Sequence, residues 1–322
     1  VMKSSIKESI RDLFSKYLEL GAVVSILCMV TVFTYLNPRF LTIPTLASII
    51  TLATELGIVA IGEAFLIISG EFDLSVGSVF AFASTVFTWL VNSGAHIGIA
   101  LLGSFALATC IGLANAVITL KGRIPSFITT LGMMWFLRGL LLATTRGFPV
   151  RIEVKVPELN WFSQPILYEF RMSSIWFLIL IIVMHIVLTS IPYGNKVQAV
   201  GGAPETARAL GVNISKVKAI NFVLSSNFAA LSGIIAVSRF MVVEPVAGTG
   251  LELEAIAASV IGGTVLSGGV GSIIGAALGA LLVGLIRVGL ILAGAPAYWY
   301  IGFLGVILII VGIINLRWVR RV

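Results

Sequence analysis

Long apolar runs broken by short polar stretches fill the chain. Reading for uninterrupted runs predicts membrane helices over 18–36, 46–69, 76–91, 97–120, 127–145 and 173–191, then over 219–237, 273–292 and 298–316. A helix needs about 20 apolar residues to cross a bilayer, and each of these runs comes close to that length. The run 255–266 is too short for a full crossing and reads as a broken or re-entrant segment held inside protein. The expected fold is all-α: a polytopic membrane protein of about ten transmembrane or partly spanning helices, forming a single transmembrane domain over 1–322. The first run follows Lys16 as a secretory leader would. It continues into Asn37-Pro38-Arg39 without a small-residue cleavage site, so it reads as a retained helix.

Charge sets the orientation. Basic residues gather near the start (Lys3, Lys7, Arg11, Lys16), at the end (Arg317, Arg320, Arg321) and in two loops (Lys121, Arg123; Lys196, Arg208, Lys216, Lys218). Cytoplasmic loops carry the excess of Lys and Arg. Both termini, the segment 1–17 and the loop 192–218 are therefore expected in the cytoplasm, and the loop 146–172 outside. That outer loop is long for a membrane connection, and its Trp161, Phe162 and Tyr168 suit an interface with lipid or a partner.

Composition narrows the function. Charged residues make up 11% of the 322, under half of the roughly 25% found in soluble chains, which argues against a water-soluble enzyme. The net charge of +7 lies in the loops and termini that follow the membrane rule, so nucleic acid is not an expected partner. Cys28 and Cys110 stand alone and the histidines are His96 and His185, a set that implies neither metal nor disulfide. With no G-x-x-x-x-G-K-[ST], the chain lacks a P-loop, and no cofactor is implied. Any ATP must be hydrolysed on another subunit. The 33 glycines, dense from Gly262 to Gly305, let helices pack closely, in a movable bundle or in a static anchor.

Two short patterns carry more. Leu74-Ser75-Val76-Gly77-Ser78 and Gly268-Gly269-Val270-Gly271-Ser272 both open apolar helices, a weak internal repeat of the kind transporters use. Between the sixth and seventh runs, Pro204-Glu205-Thr206-Ala207-Arg208-Ala209-Leu210-Gly211 predicts a two-turn cytoplasmic helix: Pro204 suits its first position, Glu205 its positive end, and Gly211 its stop. So short a helix needs a partner to hold it.

Glu205-x-Ala207-x-x-x-Gly211 resembles the coupling loop of ABC-importer permeases. The resemblance widens to the ribose/xylose/arabinose permease family through Ser69-Gly70-Glu71-Phe72-Asp73-Leu74-Ser75-Val76-Gly77-Ser78, Phe127-Ile128-Thr129-Thr130-Leu131 with Leu137-Arg138-Gly139, and Ala247-Gly248-Thr249-Gly250-Leu251-Glu252-Leu253-Glu254 with Ile261-Gly262-Gly263-Thr264. Ala203 stands where that family commonly has Asn, and Glu71-Phe72 replaces Gly-Ile. The resemblance implies a bacterial-type inner-membrane permease for a monosaccharide, with residues 204–211 coupling it to a cytoplasmic ATPase. A sugar-binding protein would deliver solute from outside, and a second or sister permease would complete the path within the lipid. An ion-coupled carrier working alone is the alternative, with Glu63 as its seat. A scaffold would be indifferent to changes at Glu205 or Gly211.

Ionisable and polar residues within spans mark candidate path positions. They are Glu63, Asp73, Arg138, Asn227 and Glu254. Glu55 and Glu63 lie about 80° apart on a helix and are expected to border one cavity. Asp73 suits either a helix cap or a solute contact. Arg138 is expected to pair with carbonyl groups or with Glu55, Glu63 or Glu254, as a clamp or on the route. Asn115, Asn221 and Asn227 suit hydrogen bonds between helices, and Trp135 and Trp176 suit interface or packing positions.

Overall fold

The computed structural model describes residues 19–296, 298–306 and 309. The expected segment 1–17, the basic tail and most of the second half of the 298–316 run lie outside them. The first half of the chain forms α1 (Leu20–Leu36), α2 (Ile43–Ile68), α3 (Val76–Asn92), α4 (Ile97–Gly122) and α5 (Ser126–Thr145). After the short α6 (Asn160–Ser163) come α7 (Met172–Thr189), α8 (Pro192–Gly202), α9 (Pro204–Ala209), α10 (Ile214–Phe240), α11 (Leu251–Ile261) and α12 (Ile273–Leu292). Six of these, α2, α4, α5, α7, α10 and α12, are long and apolar enough to cross a membrane, while α1 and α3 are shorter apolar helices.

Burial sorts the long helices into two groups. The apolar windows of α2, α10 and α12 are 83%, 72% and 67% buried, against 28% for α4 and 22% each for α5 and α7. The first three make the core. The others turn large side chains outward, among them Leu102, Val117, Trp135, Phe136 and Leu178, as lipid contact requires.

The 255–266 run does not cross. Its helix, α11, is 11 residues long, or about 16 Å at 1.5 Å per residue, roughly half of a ~30 Å hydrocarbon core. It packs backbone to backbone on α12, where Gly262 faces Gly275 and Gly279 faces Ala258. A methyl group at any of these glycines would collide with main chain, so glycine sets the spacing.

The 146–171 segment folds as a cap. Val150–Arg151 pairs antiparallel with Val242–Val243 beyond α10, and Asn92 at the end of α3 donates to the Arg151 carbonyl at 2.7 Å while accepting from the Glu153 amide at 3.0 Å. A small hairpin pairs Pro165–Leu167 with Phe170–Arg171. Trp176 donates to the Trp161 carbonyl at 2.8 Å, tying this cap to α7.

Candidate functional site: coupling segment and polar interior

The loop between α7 and α10 is mostly helix. Pro192 starts α8, which runs to Gly202, and non-helical Ala203 separates it from α9. The expected two-turn helix is 6 residues long. Gly211, at φ +82°, reverses the chain as only glycine does readily, with its amide on the Arg208 carbonyl and the Val212 amide on that of Ala207. Asn213 then caps α10 by accepting from the Lys216 amide at 2.9 Å. Sequence reading missed α8, because its polar, glycine-rich composition resembles a loop. Pro192 at the first helical position was the available signal.

α9 points its chemistry outward. Ala207 is buried against the bundle, whereas Leu210 is 78% exposed. Glu205 and Arg208 form a solvent-facing ion pair at 2.9 Å. The exposed leucine and the two charges together form a compact knob on the surface.

Behind it, three chain segments meet with no side chains between them. A Cβ on Gly201 would strike the Ile68 carbonyl and lie 2.6 Å from the Gly269 nitrogen. The Gly269 amide donates to the Ile68 carbonyl at 2.8 Å, and a Cβ on Gly268 would lie 3.2 Å from the Cα of Gly70. The segments that follow α2 and precede α12, each next to one of the echoing motifs, therefore both touch α8. Lys218 pairs with Glu71 at 2.6 Å, which gives the unusual Glu71 a partner. The Tyr193 hydroxyl donates to Asn221 at 2.6 Å, and Asn221 donates to the Phe65 carbonyl at 3.1 Å. Burial pushes the Tyr193 phenol up and keeps it a donor.

The buried polar residues serve irregular backbone. Between α2 and α3 the chain is not helical, yet its amides are occupied: Phe72 on Ser126, Asp73 on Glu63, Leu74 on Thr130 and Ser75 on Asp73. Non-helical backbone at membrane depth survives only when protein satisfies it. Glu63 and Asp73 are fully buried. Glu63 also accepts from Ser225 at 2.8 Å, and Asn115 donates to Ser75 at 2.9 Å. Arg138 does the same for a second irregular stretch, donating to the carbonyls of Pro245 at 2.5 Å and Ala247 at 2.9 Å. The carboxylate near it is Glu252, not one of the three expected. Asn227 joins α10 to α4 through Thr109 at 3.0 Å.

Glu55 and Glu63 do not share a cavity. Glu55 pairs with Arg239 at 2.8 Å and, with Glu254, Arg287 and Tyr300, borders a cavity of about 200 Å³. A wider vestibule of about 490 Å³, bordered by Tyr168, Glu169, Arg171 and Arg239, lies beside it under the 146–171 cap. Of the five candidate path residues, Glu254 borders the smaller cavity. Arg239, Arg287 and Tyr300 went unnoticed in the sequence. The signal for Arg287 was a guanidinium inside the apolar 273–292 run.

Comparison with known proteins gives the family of the chain. Residues 45–312 match the family described as the branched-chain amino acid transport system permease component. The chain belongs to this permease family. It is 34% identical over 287 residues to the ribose import permease protein of Escherichia coli K12, covering 88% of each chain. It is 32% identical to the autoinducer 2 import system permease protein of Photorhabdus laumondii over 93% of this chain and 89% of that one. Against the ribose import permease protein of Bacillus subtilis the identity is 30%, over 91% of both. No solved structure matches the chain. The protein is thus a multi-pass membrane permease of the ABC-importer type.

Proposed function

We propose that this permease carries a monosaccharide, a ribose-like pentose or a related sugar, into the cell. A separate cytoplasmic ATPase drives it and an extracytoplasmic sugar-binding protein loads it. Both termini and residues 192–218 face the cytoplasm, the 146–171 cap faces outward to receive the binding protein, and a second permease copy or sister chain completes the path. The observation that carries this reading is the exposed α9 knob, Leu210 with Glu205 and Arg208, fixed on a glycine-tight seat at the end of the bundle opposite the cap. The names of the relatives supply the sugar. An ion-coupled carrier finds no support among those relatives, and Glu63, its required seat, is engaged with Ser225 and the Asp73 amide.

The test uses vesicles holding the permease with its ATPase and binding protein. D-ribose uptake is expected to require ATP. Gly211→Val places a β-branched residue at φ +82°, a strain of about 1–2 kcal/mol, and displaces Leu210. It is expected to leave ATP hydrolysis running while uptake falls at least about tenfold. Normal uptake by that variant would remove the coupling role from this loop.

A further inference from the structure

We propose that each single permease chain holds its own binding site for a small uncharged polyol, in the cavity bordered by Glu55, Glu254, Arg287, Tyr300 and Phe80. The proposal rests on the importer reading above and adds to it the site and its chemistry.

The volume fits a small solute. At about 200 Å³ the cavity is smaller than the ~300 Å³ at which drug-sized sites begin. Access comes from the vestibule under the cap: Leu52 borders both spaces, and the Glu55–Arg239 pair stands between them.

The lining selects for hydroxyl groups. Glu254 lies beside the Tyr300 hydroxyl, and the Arg287 guanidinium sits over the Tyr300 ring, 5.2 Å from its centre. Carboxylates only accept hydrogen bonds, guanidinium groups only donate, and a phenol does both. A sugar hydroxyl both donates and accepts, so it can meet all three. Phe80 and the face of Tyr300 supply flat apolar surface for the carbon skeleton.

Charge balance argues against an ionic ligand. Glu55 pairs with Arg239 at 2.8 Å and Glu254 lies within reach of the Arg287 guanidinium, so each carboxylate at the cavity already has a cation. Any net charge brought in would remain uncompensated, whereas a neutral polyol leaves the balance intact. Stability gives no reason for the set. Ionisable groups inside apolar helices are costly, and their default reading is functional.

Accessibility of an introduced thiol reads the site directly. Thr249 is exposed and borders the cavity. Thr249→Cys, in a chain with Cys28→Ala and Cys110→Ala, is reconstituted with its ATPase and binding protein and exposed to a methanethiosulfonate reagent. D-ribose is expected to slow the modification. Tyr300→Phe, which keeps the ring and every charge, is expected to raise the half-protecting concentration about fivefold, the effect of one lost hydrogen bond between neutral groups. L-leucine is expected to give no protection. Absence of protection by ribose in vesicles that still take ribose up with ATP would overturn the site. Protection by leucine in place of ribose would overturn its chemistry. Failure of the unsubstituted chain to take up ribose with ATP would instead overturn the importer reading beneath both.

Discussion

The two ends of the bundle are built in opposite ways. Around α8, main chain lies on main chain through Gly70, Gly201, Gly202, Gly268 and Gly269, and there is no slack. Under the 146–171 cap, charged side chains border open space. A close-packed contact passes on a displacement because it cannot absorb one. An open cavity bordered by long side chains can change shape at little cost. The contrast separates an end that can only move as a unit from an end that can change shape.

Three variants test that contrast. The largest effect is expected from Gly201→Val, whose side chain would enter the Ile68 carbonyl and the Gly269 amide. Overpacking against backbone costs about 1–3 kcal/mol or more, and folded protein in the membrane is expected to drop sharply. Gly132→Ala on the outward α5, with nothing within 4 Å of its Cβ position, is expected to be neutral or stabilising. Equal yields of the two would deny that the α8 seat is special.

An intermediate effect is expected from Lys218→Met. It strands Glu71 in a setting where side chains are 14–16% exposed, and breaking such a pair is expected to destabilise by about 2 kcal/mol. The double variant Lys218→Met with Glu71→Gln is expected to recover part of the loss. A thermal-unfolding series on purified protein reads this as a coupling energy between the two sites.

The smallest effect is expected from Glu55→Gln at the cavity end. Its partner Arg239 keeps a second contact, with its guanidinium 4.0 Å from the centre of the Phe240 ring, and borders the vestibule where water can reach it. This pair is as buried as Lys218–Glu71, with each side chain 16% exposed, so the smaller loss expected, about 1 kcal/mol, rests on that ring contact and on the amide oxygen that Gln still offers Arg239. A loss larger than that from Lys218→Met would invert the comparison.

The sequence made most of the scaffold legible because hydropathy alone decides what can lie in lipid. The runs later occupied by α2, α4, α5, α7, α10 and α12 stood out for that reason, and so did the short run that became α11. Glu63, Asp73 and Arg138 stood out as polar residues where they are expensive. Their use was not legible, because it depends on which stretches of main chain lack helical partners. Asp73 does accept from an amide there, that of Ser75, but ahead of α3, whose first turn takes no side-chain cap, and Arg138 found carbonyls as expected, but on the 245–247 stretch. Arg239 sits at the end of an apolar helix and resembles an ordinary interfacial anchor, and Arg287, though inside its apolar run, has no partner legible in the sequence around it. Only the packing of α10 and α12 beside α2 brings them to Glu55.

The short strand pairing of Val150–Arg151 with Val242–Val243 fastens the cap directly to the top of α10, whose opposite end begins at the Asn213 cap just after α9. That helix has 27 residues and is about 40 Å long. One stiff rod thus runs from the capped end of the bundle to the 204–211 segment, and a tug on either end is felt at the other.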